Sequence, residues 1–271
     1  MIRDILVHLD ASFAGEARMA YAIALAKRHG ARLTGLHVIA PVDVPPVYRP
    51  SLVGGVAGDW QQDALSEATS SEEMFRRAIA QHDIAWEWQT VEGAMAERIG
   101  DFARSMDLAI VGQYESEGSS ERHPLYLAQE LVTRCGRPLI VSPAKVSPAA
   151  AMDRALVAWD GSPEAVRAIH DALPLLIEAR TSVDLIVVDS DALVFGALVA
   201  HLGRHGIDVK NSIHVHEHHT VGRTLIDKLD AGHFDLLVMG AYGHPAWLEL
   251  LFGGTTSTAL THATTPVLVS H

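Results

Sequence analysis

Asp235-Leu-Leu-Val-Met-Gly240-Ala-Tyr-Gly243, followed after nine residues by Gly253-Gly254-Thr255-Thr256, decides how the chain is read. Four consecutive apolar residues suit a strand covered on both faces, as in a parallel sheet. A glycine closing that strand delivers backbone N–H groups to the carboxyl edge of the sheet, where open α/β folds bind ligands. The second glycine pair opens a short helix, whose first N–H groups have no intrahelical partner and carry the positive end of the helix dipole. Together the two turns form a clamp suited to a polyphosphate. A tight strand-to-loop turn alone would also explain Gly240 and Gly243, and helix capping alone would explain Thr255 and Thr256. The pattern is neither the dinucleotide fingerprint nor a P-loop, because no Gly-Lys-Ser/Thr occurs.

Working outward, strand and helix alternate from the first residue. Ile5–Leu9, Leu33–Ile39, Ala85–Val91, Leu108–Val111 and Pro138–Ser142 read as strands. Helices are expected over Phe13–His29, Trp60–His82, Met95–Arg104 and Pro124–Cys135. Such alternation implies a parallel sheet with right-handed crossovers. After a turn-rich linker from Pro143 to Asp153 the pattern restarts. Ala155-Leu-Val-Ala-Trp-Asp160-Gly-Ser162 repeats Ile5-Leu-Val-His-Leu-Asp10-Ala-Ser12 at an offset of 150. Asp235–Gly240 repeats Asp107–Gly112, and Pro266–Ser270 repeats Pro138–Ser142, both at an offset of 128. Three landmarks in one order mark an internal duplication. Two five-stranded units follow, over 1–147 and 148–271.

The 33 acidic residues outnumber the 21 Lys and Arg, for a net charge of −12, and no basic run occurs. A nucleic-acid or anionic-membrane surface needs clustered cations, so neither is expected as a partner. Backbone N–H groups still hold anions without showing in the net charge. The single cysteine, Cys135, excludes an internal disulfide network and fits a reducing compartment. No apolar run reaches the roughly 18–20 residues of a membrane span, and the first residues lack a signal-peptide core. A cytoplasmic location is expected.

Asp160-Gly-Ser162 after a first strand, and Gly240-x-x-Gly243-x9-Gly253 before the closing Pro266-Val-Leu-Val, resemble the universal stress proteins in their tandem form. The resemblance covers both halves. It implies two doubly wound parallel sheets of order 3-2-1-4-5, packed as an intramolecular pseudo-dimer, and binding of ATP or another adenine nucleotide, with Mg²⁺. Carried over residue by residue, the site comprises Asp160, Val187, Gly240, Gly243 and Gly253. The family pattern places Ser or Thr directly after the last glycine. Here that position is Gly254, and hydroxyls follow at Thr255 and Thr256.

Subtracting 128 from the clamp positions gives Gly112, Glu115, Leu125, Tyr126 and Ala128. Glu115 and Glu117 repel phosphate, while Leu125 and Tyr126 fill its space. Asp10 and Val38 persist and are expected to be remnants of the fold, leaving the first half without a nucleotide. His214, His216 and His218 alternate, so on one strand face they would form an adventitious metal site. A solvated edge-strand face is the competing reading.

No nucleophile elbow or H-E-x-x-H motif occurs, and the clamp lacks a lysine or arginine for phosphoryl transfer. The expectation is therefore a stress-response sensor or regulator with a protein partner, able to form homo-oligomers, and at most a weak ATPase. A ligand-free interaction protein and a slow nucleotide hydrolase are the rivals.

Overall fold

The computed structural model describes residues 1–41, 56–113, 127–147, 152–179, 181–215, 218–241 and 255–271. In the first half, β1 (Asp4–His8), β2 (Arg32–Ile39), β3 (Trp86–Glu92), β4 (Leu108–Gly112) and β5 (Leu139–Ser142) alternate with α1 (Phe13–His29), α2 (Val56–Ile79), α3 (Met95–Ala103) and α4 (Leu127–Arg134). The second half repeats this with β6 (Arg154–Trp159), β7 (Ser182–Val188), β8 (Asp208–Val215), β9 (Leu236–Gly240) and β10 (Val267–Ser270). Its helices are α5 (Pro163–Ala179), α6 (Ala192–Arg204), α7 (His218–Gly232) and α8 (Thr255–His262). The helix expected over Phe13–His29 has those bounds, with Ser12 as its N-cap and Gly30 as its C-cap. Helix α2 starts four residues before the expected Trp60 and ends at Ile79.

The ten strands among the described residues join one sheet, in the order β3-β2-β1-β4-β5-β10-β9-β6-β7-β8. Read from either outer edge, each half follows 3-2-1-4-5. The inner strands β5, β9 and β10 are almost wholly buried, as their unbroken apolar runs require. Edge strands β3 and β8 alternate polar and apolar residues and are partly exposed.

The halves meet by antiparallel pairing of β5 with β10, in which Ile140 opposes Leu268. Those two residues are also counterparts at the 128 offset, so each half presents the same position to the other. That is the isologous contact of a two-fold dimer, built here within one chain. Gln113 adds a hydrogen bond across the joint, its Nε2 donating to the Ala263 carbonyl at 3.2 Å.

The duplication extends to single bonds. Asp107 accepts from the backbone N–H groups of Arg3 and Asp4 at 2.7 and 3.1 Å. Asp235 accepts from those of Asp153 and Arg154 at 2.9 and 3.0 Å. Each aspartate ties the start of a fourth strand to the start of a first. Ser12 and Ser162 likewise cap α1 and α5, accepting from Gly15 N at 3.0 Å and Ala165 N at 3.2 Å.

Side chains alternate between two cores. One lies beneath α1, α2, α5 and α6 and includes Val7, Leu33, Trp159 and Val187. The other lies beneath α3, α4, α7 and α8 and includes Leu36, Val38, Val188 and Leu260. Among the described residues no helix is long and apolar enough to cross a membrane.

Because the sheet is continuous, urea should unfold both halves together. Tryptophan fluorescence and far-UV circular dichroism should trace one transition, and Leu268→Ala should shift it by about 2–5 kcal/mol. Two separated transitions would contradict a sheet closed across β5 and β10.

Candidate functional site

The carboxyl ends of β6 and β9 lie side by side, since β6 and β9 are paired neighbours. They bring together Asp160, one residue past β6, and Gly240, the last residue of β9. Asp160 is half-buried, and its Oδ1 accepts from Ser162 N at 2.9 Å. Among the described residues it has no cationic partner. Three of its four acceptor sites thus remain for something else.

Gly240 has a packing reason of its own. A Cβ there would lie 2.5 Å from Ala165 N and 2.6 Å from Glu164 C, so the start of α5 sits directly against the end of β9. Helix α8 starts at Thr255, and Thr256 is buried at 5% exposure within its first turn. Gly243, Gly253 and Gly254 lie outside the described residues, as do Glu115, Glu117, Leu125 and Tyr126.

Val187 is not brought to this side. It pairs with Trp159 and is buried in the core beneath α5 and α6, whereas α8 packs on the opposite face. Val188, one residue on, faces the α8 side. The strand register also corrects the expected correspondence between halves. Arg154 pairs with Ser182 as Asp4 pairs with Arg32, so the counterpart of Val187 is His37, and that of Val38 is Val188. His37 is 5% exposed, and its Nδ1 donates to the Leu9 carbonyl at 2.9 Å.

Asp10 has a partner within the first half. Its Oδ2 receives Arg18 Nη2 at 2.9 Å in a pair whose side chains are 12% and 3% exposed. The same guanidinium donates through Nε to the His8 carbonyl at 2.8 Å. Ser12 donates to Asp10 through both its backbone N–H, at 3.1 Å, and its hydroxyl. Gly112 is kept for this arrangement, since a Cβ there would lie 2.0 Å from Arg18 Nη1. In the second half the position of Arg18 is held by Ala168, which is fully buried. Sequence reasoning missed Arg18, although a visible signal existed: an arginine two turns into α1, on its otherwise apolar buried face.

Of the three histidines His214, His216 and His218, two fall on described elements. Strand β8 ends at Val215 and α7 begins at His218, so His214 and His218 sit on different elements, while His216 lies outside the described residues. His214 is exposed on the edge strand, its ring 5.1 Å from that of Phe195.

The Universal stress protein family model matches residues 1–113 and 189–271. Among solved structures, a universal stress protein from Archaeoglobus fulgidus DSM 4304 superposes with a TM-score of 0.77 at 17% identity, covering 98% of this chain and 95% of its own. A functionally unknown protein from Pseudomonas aeruginosa PAO1 does so with a TM-score of 0.64 at 14% identity, covering 99% and 92%. A universal stress protein in complex with cAMP covers 53% of this chain and 99% of its own, at 17% identity and a TM-score of 0.40. At these identities the likeness establishes the fold. No curated protein matches the chain.

Removing Arg18 should strand a buried carboxylate. Arg18→Ala is expected to cost about 3–5 kcal/mol in urea unfolding, and the double change Asp10→Asn with Arg18→Met to recover more than half of that. A loss below about 1 kcal/mol for Arg18→Ala would contradict a buried, mutually dependent pair.

Proposed function

The chain belongs to the universal stress protein family, and from that premise we propose that its C-terminal half binds ATP or another adenine nucleotide. The observation that carries this reading is the contrast between the two strand-end aspartates. Asp10 is closed by Arg18, while Asp160 keeps acceptor capacity at the sheet edge. A carboxylate there accepts hydrogen bonds from ribose hydroxyls or from the exocyclic amine of an adenine. Val188, on the same side as α8, supplies apolar contact for the base in place of Val187. Phosphates, with Mg²⁺, are held by backbone N–H groups of the clamp at Gly240, Gly243, Gly253 and Gly254 and at the start of α8, where Thr255 also offers a hydroxyl.

Between Gly240 and Thr256 no lysine or arginine occurs. Without a cation to stabilise a phosphoryl transition state, the site suits binding, with hydrolysis slow at most. The protein then works as a cytoplasmic sensor whose occupied clamp changes the surface met by a protein partner or a second copy of the chain. A ligand-free interaction protein is the second reading, favoured by Gly254 where a hydroxyl is expected and by the burial of Thr256.

Calorimetric titration with Mg·ATP, AMP and cAMP tests the proposal. One adenine nucleotide should bind per chain, and Asp160→Ala should weaken it about tenfold or more, the loss of a charge-assisted hydrogen bond. Ala168→Arg, which copies Arg18, should abolish binding by closing Asp160. Because Ala168 is buried, Gly243→Glu serves as a second variant, expected to abolish binding with the thermal midpoint nearly unchanged. An empty wild-type protein with no measurable affinity would favour the second reading. Unaltered affinity in Asp160→Ala and Gly243→Glu would overturn the site.

A further inference from the structure

Helices α1 and α2 lie side by side over the first half and leave a groove of about 580 Å³ between them. That volume is within the range of roughly 300–1,000 Å³ typical of small-molecule sites. Ala20, Ala24 and Ala78, all partly exposed, keep the two helix surfaces low. Met74, with the buried Met19 and Ile23, completes an apolar floor. Thioether side chains adapt to whatever apolar shape lies against them.

The groove has a cationic end. Along α1 its lining runs from Glu16 in the first turn to Lys27 in the last, about 16 Å apart. Arg77, in the last turn of α2, also lines it. Strands β1, β2 and β3 are parallel, so α1 and α2 run the same way and their last turns reach the same edge of the sheet. Lys27 and Arg77 thus stand on the two walls at one end of an apolar trough, and both are exposed to solvent.

The fold has no use for this pair. Arg76 ion-pairs with Glu72 at 2.7 Å and lies over the Trp86 ring. The side chains of Lys27 and Arg77 have no ion-pair or hydrogen-bond partner among the described residues. A basic residue in each last turn complements the negative end of the helix dipole, but Arg28, His29 and Arg76 already supply that. The repeat adds a control. At the offset of 150, Glu16 and Lys27 correspond to Val166 and Ile177, which are 39% and 43% exposed. A helix in this place therefore accepts apolar residues at both positions, and the charges belong to the first half alone.

We propose that the groove binds a monomeric straight-chain carboxylate of about ten to twelve carbons, a length set by the distance along α1. Its head group meets Lys27 and Arg77, and its chain lies over Met19, Ile23 and Met74. Glu16 repels a carboxylate bound the other way round, which fixes the orientation. In a chain of net charge −12, two unpaired cations beside an apolar floor select an anionic amphiphile over a neutral or cationic one. The site is independent of the nucleotide proposal, because it lies over the first half.

Decanoate below its micellar concentration is the probe. Decanol and decyltrimethylammonium carry the same chain with a neutral and a cationic head. Calorimetric titration of the full chain should show one saturable decanoate site, with decanol about tenfold weaker and no saturable binding of decyltrimethylammonium. The Met74 methyl resonance should shift with decanoate, while that of Met95, in the opposite core, should not. Lys27→Gln with Arg77→Gln changes two exposed positions and should weaken decanoate about tenfold, leaving decanol unchanged. Lys27→Glu with Arg77→Glu should reverse the preference, admitting decyltrimethylammonium and excluding decanoate. Saturating Mg·ATP should leave decanoate affinity unaltered. Absence of saturable decanoate binding at low millimolar concentration, equal affinity for the three head groups, full affinity in the double Gln variant, an unmoved Met74 methyl, or competition by ATP would each overturn the proposal.

Discussion

Among the described residues, one buried ion pair, Asp10 with Arg18, is present in the first half and has no counterpart in the second. Both end their first strand in an aspartate that receives the backbone N–H of the serine two residues on. In the first half the carboxylate is also met by Arg18, whose guanidinium lies where any side chain at residue 112 would have to be. A buried pair is weak evidence for added stability, since apolar replacements often serve as well. What Arg18 does is occupy: it neutralises the carboxylate and fills the strand-end space from within. Ala168 does neither, so the carboxylate of Asp160 meets no cation among the described residues.

The continuous sheet turns that local difference into an arrangement of surfaces. Pairing of Ile140 with Leu268 makes each half the edge partner of the other and removes the inner edges from solvent. Alternation along every strand then divides the helices into two layers, α1, α2, α5 and α6 over one face and α3, α4, α7 and α8 over the other. Within the second half Val187 and Val188, adjacent in sequence, point opposite ways, one into the core beneath α5 and α6 and the other into the core beneath α7 and α8.

Much of the fold was legible in the residues. Apolar runs such as Leu236–Met239 and Leu139–Val141 leave little choice but buried strands, and the repeat of Asp107 as Asp235 and Ser12 as Ser162 preserves bonds that every copy of the unit needs. The site was legible in part. Asp160 and Gly240 stand at the ends of neighbouring strands, as the order of the repeat implies. The side chain of Val187 enters the core beneath α5 and α6 while that of Val188 faces the α8 side, a distinction that composition alone does not reveal because a step of one along a strand reverses the face. Arg18 escaped notice because its function depends on a partner eight residues away and on a glycine 94 residues away, which only the folded chain brings together. His214 and His218 belong to different elements, β8 and α7, a boundary that alternating His and Val residues do not announce.

The most direct test of the central claim is a crystal structure of the full chain soaked with a non-hydrolysable ATP analogue and Mg²⁺. Density should lie beside Asp160, between the end of β9 and the start of α8, with the Asp10–Arg18 pair intact and no nucleotide next to it. Nucleotide density beside Asp10 with Arg18 displaced, or an empty second half at saturating analogue, would contradict it.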